Sequence, residues 1–327
     1  MHRVGSNGAR MTPTRRARRR GTSVPMPISL LAILVAVAAC ATPAGGPGGS
    51  GSVLTGDGTQ LPQDRLHRQA HDALERWADA IRKSGGASIA FVGDLTGQVG
   101  TWEGAVGENN KAALGAGLVE AGATLSDNAP SRDKVRWLDG SEVDVNVLSA
   151  ADTLDALVAV GAGSAACQDC RPLAVGEAQL ATGLVDTSRG PANAPAWVFS
   201  IEGSAVKITR IAVDQSVTVD PPPWNANDPP VGLSIESATG TNDSKKLVVS
   251  FIGKRDGADK QCGADYLAEA VESDLAVVVI VRETRTGTGA CDLVGYPRTA
   301  KVTLESVLGT RAVLEVKQGL PVSVIAP

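Results

Sequence analysis

Residues 220–230 read DPPPWNANDPP, five prolines in eleven residues. Each proline fixes φ and removes a backbone donor, so neither a helix interior nor an inner strand can run through such a stretch. The chain is therefore expected to fold on either side of it, with residues 220–230 as a linker between two domains. On the C-terminal side, residues 232–237, 246–251, 266–273, 276–282, 300–305 and 312–316 are short β-type runs separated by turn-rich links. Six such strands within residues 231–327 predict a small, all-β, sandwich-like domain.

The N-terminal side mixes periods. Leu66, Ala70, Leu74, Trp77 and Ile81 recur at helical spacing, with Arg65, Arg68, Asp72, Arg76 and Asp79 on the opposite face. Pro62 opens this helix and Gly85-Gly86 closes it. Residues 87–92 are extended, a glycine-spaced loop follows to Gly107, and a second helix is predicted from Asn109 to about Ala121. Val143, Val145 and Val147 alternate with Glu142, Asp144 and Asn146, as in a half-buried strand, and Ser149 caps a third helix through Thr153, Leu154, Leu157 and Val158. Residues 180–186, 197–201 and 205–213 then read as strands. The expected fold is α+β: helices on an antiparallel sheet over residues 61–219, followed by the smaller β domain.

Ahead of both lies a segment that sets the compartment. Arg15, Arg16, Arg18, Arg19 and Arg20 precede an apolar run over residues 28–39 that ends Val37-Ala38-Ala39-Cys40. A spanning helix needs roughly 20 apolar residues, so this shorter run reads as a signal-peptide core over residues 1–39. Val37, Ala38, Ala39 and Cys40 resemble the lipobox of bacterial lipoproteins. That resemblance implies cleavage before Cys40 and a diacylglycerol on its sulfur. Residues 41–52, ATPAGGPGGSGS, have the composition of a flexible spacer, so residues 40–60 are read as lipidated cysteine plus tether.

Composition narrows the partners. The segment to residue 39 contains seven arginines and no acid, leaving 24 basic against 35 acidic residues in the remainder, a formal charge of −11. Nucleic acid is not an expected partner for such a surface. Met1, Met11 and Met26 all fall within the removed segment. Besides Cys40 there are four cysteines, Cys167, Cys170, Cys262 and Cys291, in a compartment where disulfides persist. The simplest connectivity joins Cys167 to Cys170 and Cys262 to Cys291, one pair on each side of the linker.

Cys167-Gln-Asp-Cys170 also has the spacing of a dithiol oxidoreductase, although it follows a helix instead of opening one. His67, His71 and Glu75 share a helical stripe, but Arg68 stands where a zinc protease would place its glutamate. Glu142, Asp144 and Asn146 present oxygens that strand alternation already explains. Elements at Lys83-Ser84-Gly85, Ser126-Asp127-Asn128 and residues 131–134 echo penicillin-recognising enzymes only in reversed order. Gln98, Trp102, Glu103, Asn109, Asn110 and Lys111, joined by Ser188 and Arg189, remain as candidates for binding carbohydrate or peptide, tryptophan supplying an apolar face and the amides fixing orientation. No catalytic residue, metal site or cofactor is expected.

The segments GDLTGQVGTWE (93–103), GENNKAAL (107–114), DTSRGPANAPAWVFSIEG (186–203) and CGADYLAEAVESDLAVVVIV (262–281) resemble uncharacterised exported lipoproteins of high-GC Gram-positive bacteria. The resemblance adds support for the lipid anchor and carries no activity. The sequence is thus read as a lipid-anchored, extracytoplasmic lipoprotein at the cell membrane. Its role is that of a non-catalytic binding or cell-envelope component with a cell-wall, carbohydrate or protein ligand. The alternative is an envelope enzyme, either a dithiol oxidoreductase using Cys167 and Cys170 or a hydrolase.

Overall fold

A strand alternates its side chains between two faces, so an uninterrupted apolar run such as AVVVIV at residues 276–281 demands cover on both. In the computed structural model, which describes residues 63–102, 104–162, 167, 169–285, 291 and 294–327, every residue of that run is at most 1% exposed. Val277, Val279 and Val281 enter one core with Leu247, Phe251, Val302 and Val313. Ala276, Val278 and Ile280 enter another with Leu66, Ala70, Leu74 and Trp77. One strand therefore walls two cores. The signal segment, Cys40 and the tether lie outside the described residues.

The chain begins its described course with α1 (Gln63–Lys83), then β1 (Phe91–Val92), β2 (Thr96–Val99), α2 (Gly104–Gly115) and β3 (Val119–Ala121). It continues through β4 (Asp133–Trp137), β5 (Glu142–Val145), α3 (Ala150–Gly161), β6 (Leu173–Thr187), β7 (Gly190–Ile201) and β8 (Lys207–Ile211). These strands form one sheet in the order β1-β6-β7-β4-β5, with β8 also on β7 and carrying β2. Its pairings are antiparallel except for β3, which lies parallel to β6. The backbone of this sheet is the long β6–β7 hairpin, whose register runs from Val175↔Ile201 to Thr187↔Gly190.

Local chemistry accounts for the helix limits. Ser149 caps α3, its Oγ accepting from Asp152 N at 3.0 Å. The second helix starts and stops earlier than its sequence pattern suggests, because Gly117 takes φ +66° and the chain leaves the helix there. That turn also sits against α3: a Cβ on Gly161 would lie 2.1 Å from Gly117 N. Leu118 and Val119 are thereby released to pair β3 with β6 instead of extending α2. Ala113, Leu154 and Leu157 then pack with Leu173, Val175, Phe199 and Ile208 in a third core.

Beyond the prolines come β9 (Ile235–Thr239), β10 (Lys246–Gly253), β11 (Asp265–Glu272), β12 (Ala276–Thr284), β13 (Tyr296–Thr303), β14 (Ala312–Glu315) and β15 (Pro321–Ile325). Their order is β11-β12-β14-β15-β9-β10-β13. Where a sandwich was the expectation, the structure has one sheet curled into a near-closed, barrel-like form. The reason is that the β14–β15 hairpin inserts by two parallel pairings, β12 with β14 and β15 with β9, so a single sheet surrounds one core. Tyr266 on β11 bridges towards β10, its ring 4.8 Å from that of Phe251 in an edge-to-face pair. Gly253 makes room for it, since a Cβ there would come within 2.5 Å of the Tyr266 hydroxyl oxygen.

Helix α1 covers the outer face of β12 and β14. Its sequence assigns it to the N-terminal half, yet its apolar stripe shares a core with the C-terminal sheet. Residues 220–230 take no helix or strand, as their prolines require. Among the described residues no helix is long and apolar enough to cross a membrane.

A part-buried ion pair ties the barrel's connecting turns. Arg311 donates to Glu272 Oε2 at 2.6 Å, with side-chain exposures of 10% and 11%. The same guanidinium donates to the carbonyls of Ser306, Val307 and Leu308. Burial alone pushes the Glu272 carboxyl up, but the bonds from Arg311 and the Glu305 and Ser306 amides outweigh it and hold it below the ordinary carboxylate range. A lowered native value means this pair stabilises the fold above about pH 4.3, the unfolded glutamate value, and the contribution is lost as pH falls through the native value.

Two outcomes are expected. Leu314→Ala, which empties a site with no exposed surface between β14 and α1, lowers unfolding stability in urea by about 2–5 kcal/mol. Glu272→Gln leaves Arg311 part-buried without its anion, costing about 1.5–3 kcal/mol at pH 7, and the variant's stability declines less steeply than the parent's on titration below pH 4.3.

Candidate functional site

The structure separates the residues that sequence spacing groups together. Trp102 is 9% exposed and belongs to the core beneath α2 and α3, so its ring offers no open face. Gln98 on β2 satisfies itself locally, Nε2 donating to Gly100 O at 2.7 Å. Asn110 is buried at 9% exposure. Glu103 lies outside the described residues. Asn109 works as a clamp on the backbone, its Oδ1 accepting from Arg171 N at 2.9 Å and its Nδ2 donating to Arg171 O at 3.3 Å. These two bonds hold the residue immediately after Cys170.

Arg189 sits in the β6–β7 turn, away from this set in the pairing order. Its guanidinium carbon lies 4.0 Å from the centre of the Trp137 ring, and Nη2 donates to Ser141 Oγ at 3.1 Å. Trp137 in turn donates from Nε1 to Thr187 Oγ1 at 2.9 Å, and Thr187 donates to Gly190 O at 2.7 Å. These contacts fasten the hairpin turn to the end of β4.

Both expected disulfides are present, Cys167–Cys170 with Cα atoms 5.5 Å apart and Cys262–Cys291 at 5.6 Å. Cys170 packs partly against the α2–α3 core, and neither Cys167 nor Cys170 lies at the start of a helix that could acidify its thiol. His67 pairs with Glu269 Oε1 at 3.0 Å, and Glu269 also receives Arg282. Among the described residues no group of three or more His, Cys, Asp or Glu side chains is placed to hold a metal. Glu142 bonds Lys134, which holds its carboxyl below the ordinary range, and Asn146, just past β5, accepts from Arg132 at 3.0 Å, so both of these side chains already face cations.

A different cluster forms at one end of the barrel. Both tyrosines of the chain, Tyr266 and Tyr296, lie there, each at or near the start of its strand. The Arg255 guanidinium stacks 4.3 Å from the Tyr296 ring centre and bonds its hydroxyl. The Arg298 guanidinium lies 5.5 Å from the Tyr266 ring centre, with Nη1 donating to Arg255 O at 2.6 Å. Tyr266 Oη accepts from Lys254 N at 2.6 Å, and burial pushes its hydroxyl above the ordinary tyrosine range. Beside Arg298 a shallow, open depression is lined by Glu236, Ser250, Phe251, Pro297 and Thr299.

Guanidiniums laid on aromatic rings keep a preset plane, the geometry that receives a carboxylate or phosphate at low entropic cost. The cluster and the depression beside it thus offer two planar cations, two phenol rings and a small apolar face. Strand pattern takes Tyr266 into a β run but starts the 300–305 run after Tyr296, and only register reveals that Gly253 faces Tyr296 and that Phe251 faces Arg298.

Set against known proteins, the chain matches no protein-family model, no curated protein and no solved structure.

The Asn109 clamp gives a direct test. Asn109→Ala removes two hydrogen bonds at the turn after Cys170, worth about 1–3 kcal/mol together. Limited reduction followed by alkylation and mass spectrometry should find Cys167–Cys170 opening faster in the variant, with the rate at Cys262–Cys291 unchanged.

Proposed function

We propose that the protein is a lipid-anchored, extracytoplasmic binding component of the cell envelope. The observation that carries this reading is the N-terminal order of five arginines, a short apolar run and Val37-Ala38-Ala39-Cys40. Two disulfides in a chain of this length support an oxidising compartment, and so does the confinement of every methionine to the first 26 residues. The resemblance to exported lipoproteins of high-GC Gram-positive bacteria points the same way.

The binding surface in this reading is the barrel end bearing Arg255, Arg298, Tyr266 and Tyr296. A ligand carrying a carboxylate or phosphate beside a small apolar face, such as a cell-wall fragment or an acidic peptide, matches its chemistry. It replaces the group around Trp102 because that ring is packed inside the fold.

Fractionation of cells expressing the parent and Cys40→Ala tests the anchor. The parent is expected in the membrane fraction with a mass increased by acylation, and the variant in the soluble extracytoplasmic fraction. Membrane retention of the unacylated variant would refute the anchor. Native mass spectrometry of the acylated chain tests the surface: a bound ligand should be retained by the parent and lost in Arg298→Ala.

A further inference from the structure

Four of the five tryptophans are consumed by packing. Trp77, Trp102 and Trp137 are 4%, 9% and 5% exposed. Trp197 is part-buried and donates from Nε1 to Leu148 O at 2.9 Å. Trp224 differs, being 72% exposed at the middle of the proline-rich stretch. An indole left in water in this way forgoes roughly 2–3 kcal/mol of apolar burial, which makes an unpartnered site informative.

The loop that presents Trp224 is braced. Pro221, Pro222 and Pro223 fix the approach, while Asn225 accepts from Asn227 N through its side chain at 3.0 Å and from Asp228 N through its carbonyl at 3.1 Å. Val219 and Val231 at the two ends pack against the core beneath α1. Arg65 bonds the Asp228 carboxylate and donates to Pro229 O at 2.6 Å. Gln69 takes both backbone groups of Val231, at 3.1 and 2.9 Å. The loop is therefore fastened to the first two turns of α1, where the chain coming from Cys40 enters the fold.

We propose that Trp224 is a second membrane contact, its indole entering the headgroup region of the bilayer that holds the acyl chains on Cys40. The inference rests on the lipid-anchor reading and adds a surface to it. Only 22 residues separate Cys40 from Gln63, and a chain of that length reaches at most about 80 Å when fully extended. Tethering on that scale puts the loop at an effective concentration near the millimolar range with respect to the surface, at which the weak partitioning of one indole is populated. Tryptophan favours this zone because its ring is apolar while its N–H stays hydrated. The prolines hold the loop extended beforehand, so little conformational entropy is lost on contact. The protein around it is acidic, so the contact suits zwitterionic lipid and weakens on anionic lipid.

The test uses the full acylated chain reconstituted into phosphatidylcholine vesicles, with tryptophan emission as readout. Trp224 is expected to shift to the blue, to lose its quenching by acrylamide and to gain quenching by lipids brominated near the headgroup. Trp224→Ala abolishes all three changes, since the four packed tryptophans contribute none of them, and phosphatidylglycerol vesicles reduce them. A chain that co-floats with the vesicles while Trp224 stays open to acrylamide overturns the contact and leaves the anchor standing. A chain that fails to co-float overturns both. Protection seen only on native membranes and never on pure lipid assigns the loop to a protein partner and equally overturns the proposal.

Discussion

The fold depends on β12 being apolar on both faces. Valine at alternate positions fills the barrel, and the residues between them form the floor on which α1 lies. Remove the helix and a strip of Ala276, Val278, Ile280, Ala312 and Leu314 would face water. Unroll the barrel and Val277, Val279 and Val281 would do so. Each half of this arrangement covers apolar surface of the other. The proline-rich stretch consequently acts less as a hinge between independent domains than as the strap that carries the chain along α1 and into the barrel, with Gln69 pinning it at Val231.

How much of this is legible in the sequence follows from what periodicity encodes. The helix at Gln63–Lys83 and the Ser149 cap are legible because spacing and capping chemistry are local. What covers an apolar stripe is not local, and nothing in Leu66, Ala70 or Trp77 says that their partners lie more than 200 residues on. The run at residues 276–281 signals two buried faces, but the barrel arises from parallel pairings that no turn signal marks. The shortened second helix turns on Gly117 and its contact with Gly161, a meeting of two glycines distant in sequence.

The candidate site divides in the same way. The disulfides are legible from cysteine count and spacing, because each pair falls on its own side of the prolines. Trp102, Asn109 and Asn110 look alike as binding residues in sequence, since tryptophan and asparagine serve loops and ligands with the same chemistry. Burial separates the roles, placing Trp102 in a core and Asn109 on Arg171. Arg255 and Arg298 carry no sequence signal at all. They matter only because the folded barrel end brings them to the rings of the two tyrosines.

The placement of α1 also dictates an order of events for a chain that is synthesised from its N-terminus. His67 meets Glu269 across 202 positions, and Gln69 meets Val316 across 247. The helix therefore emerges first with its apolar stripe uncovered and has to wait until almost the whole polypeptide has been made before its floor exists. Closing contacts of such long range is slow, and the waiting surface is open to wrong partners in the interval. A chain with this topology completes its fold only at the end of synthesis, and its first described element is among the last to become secure.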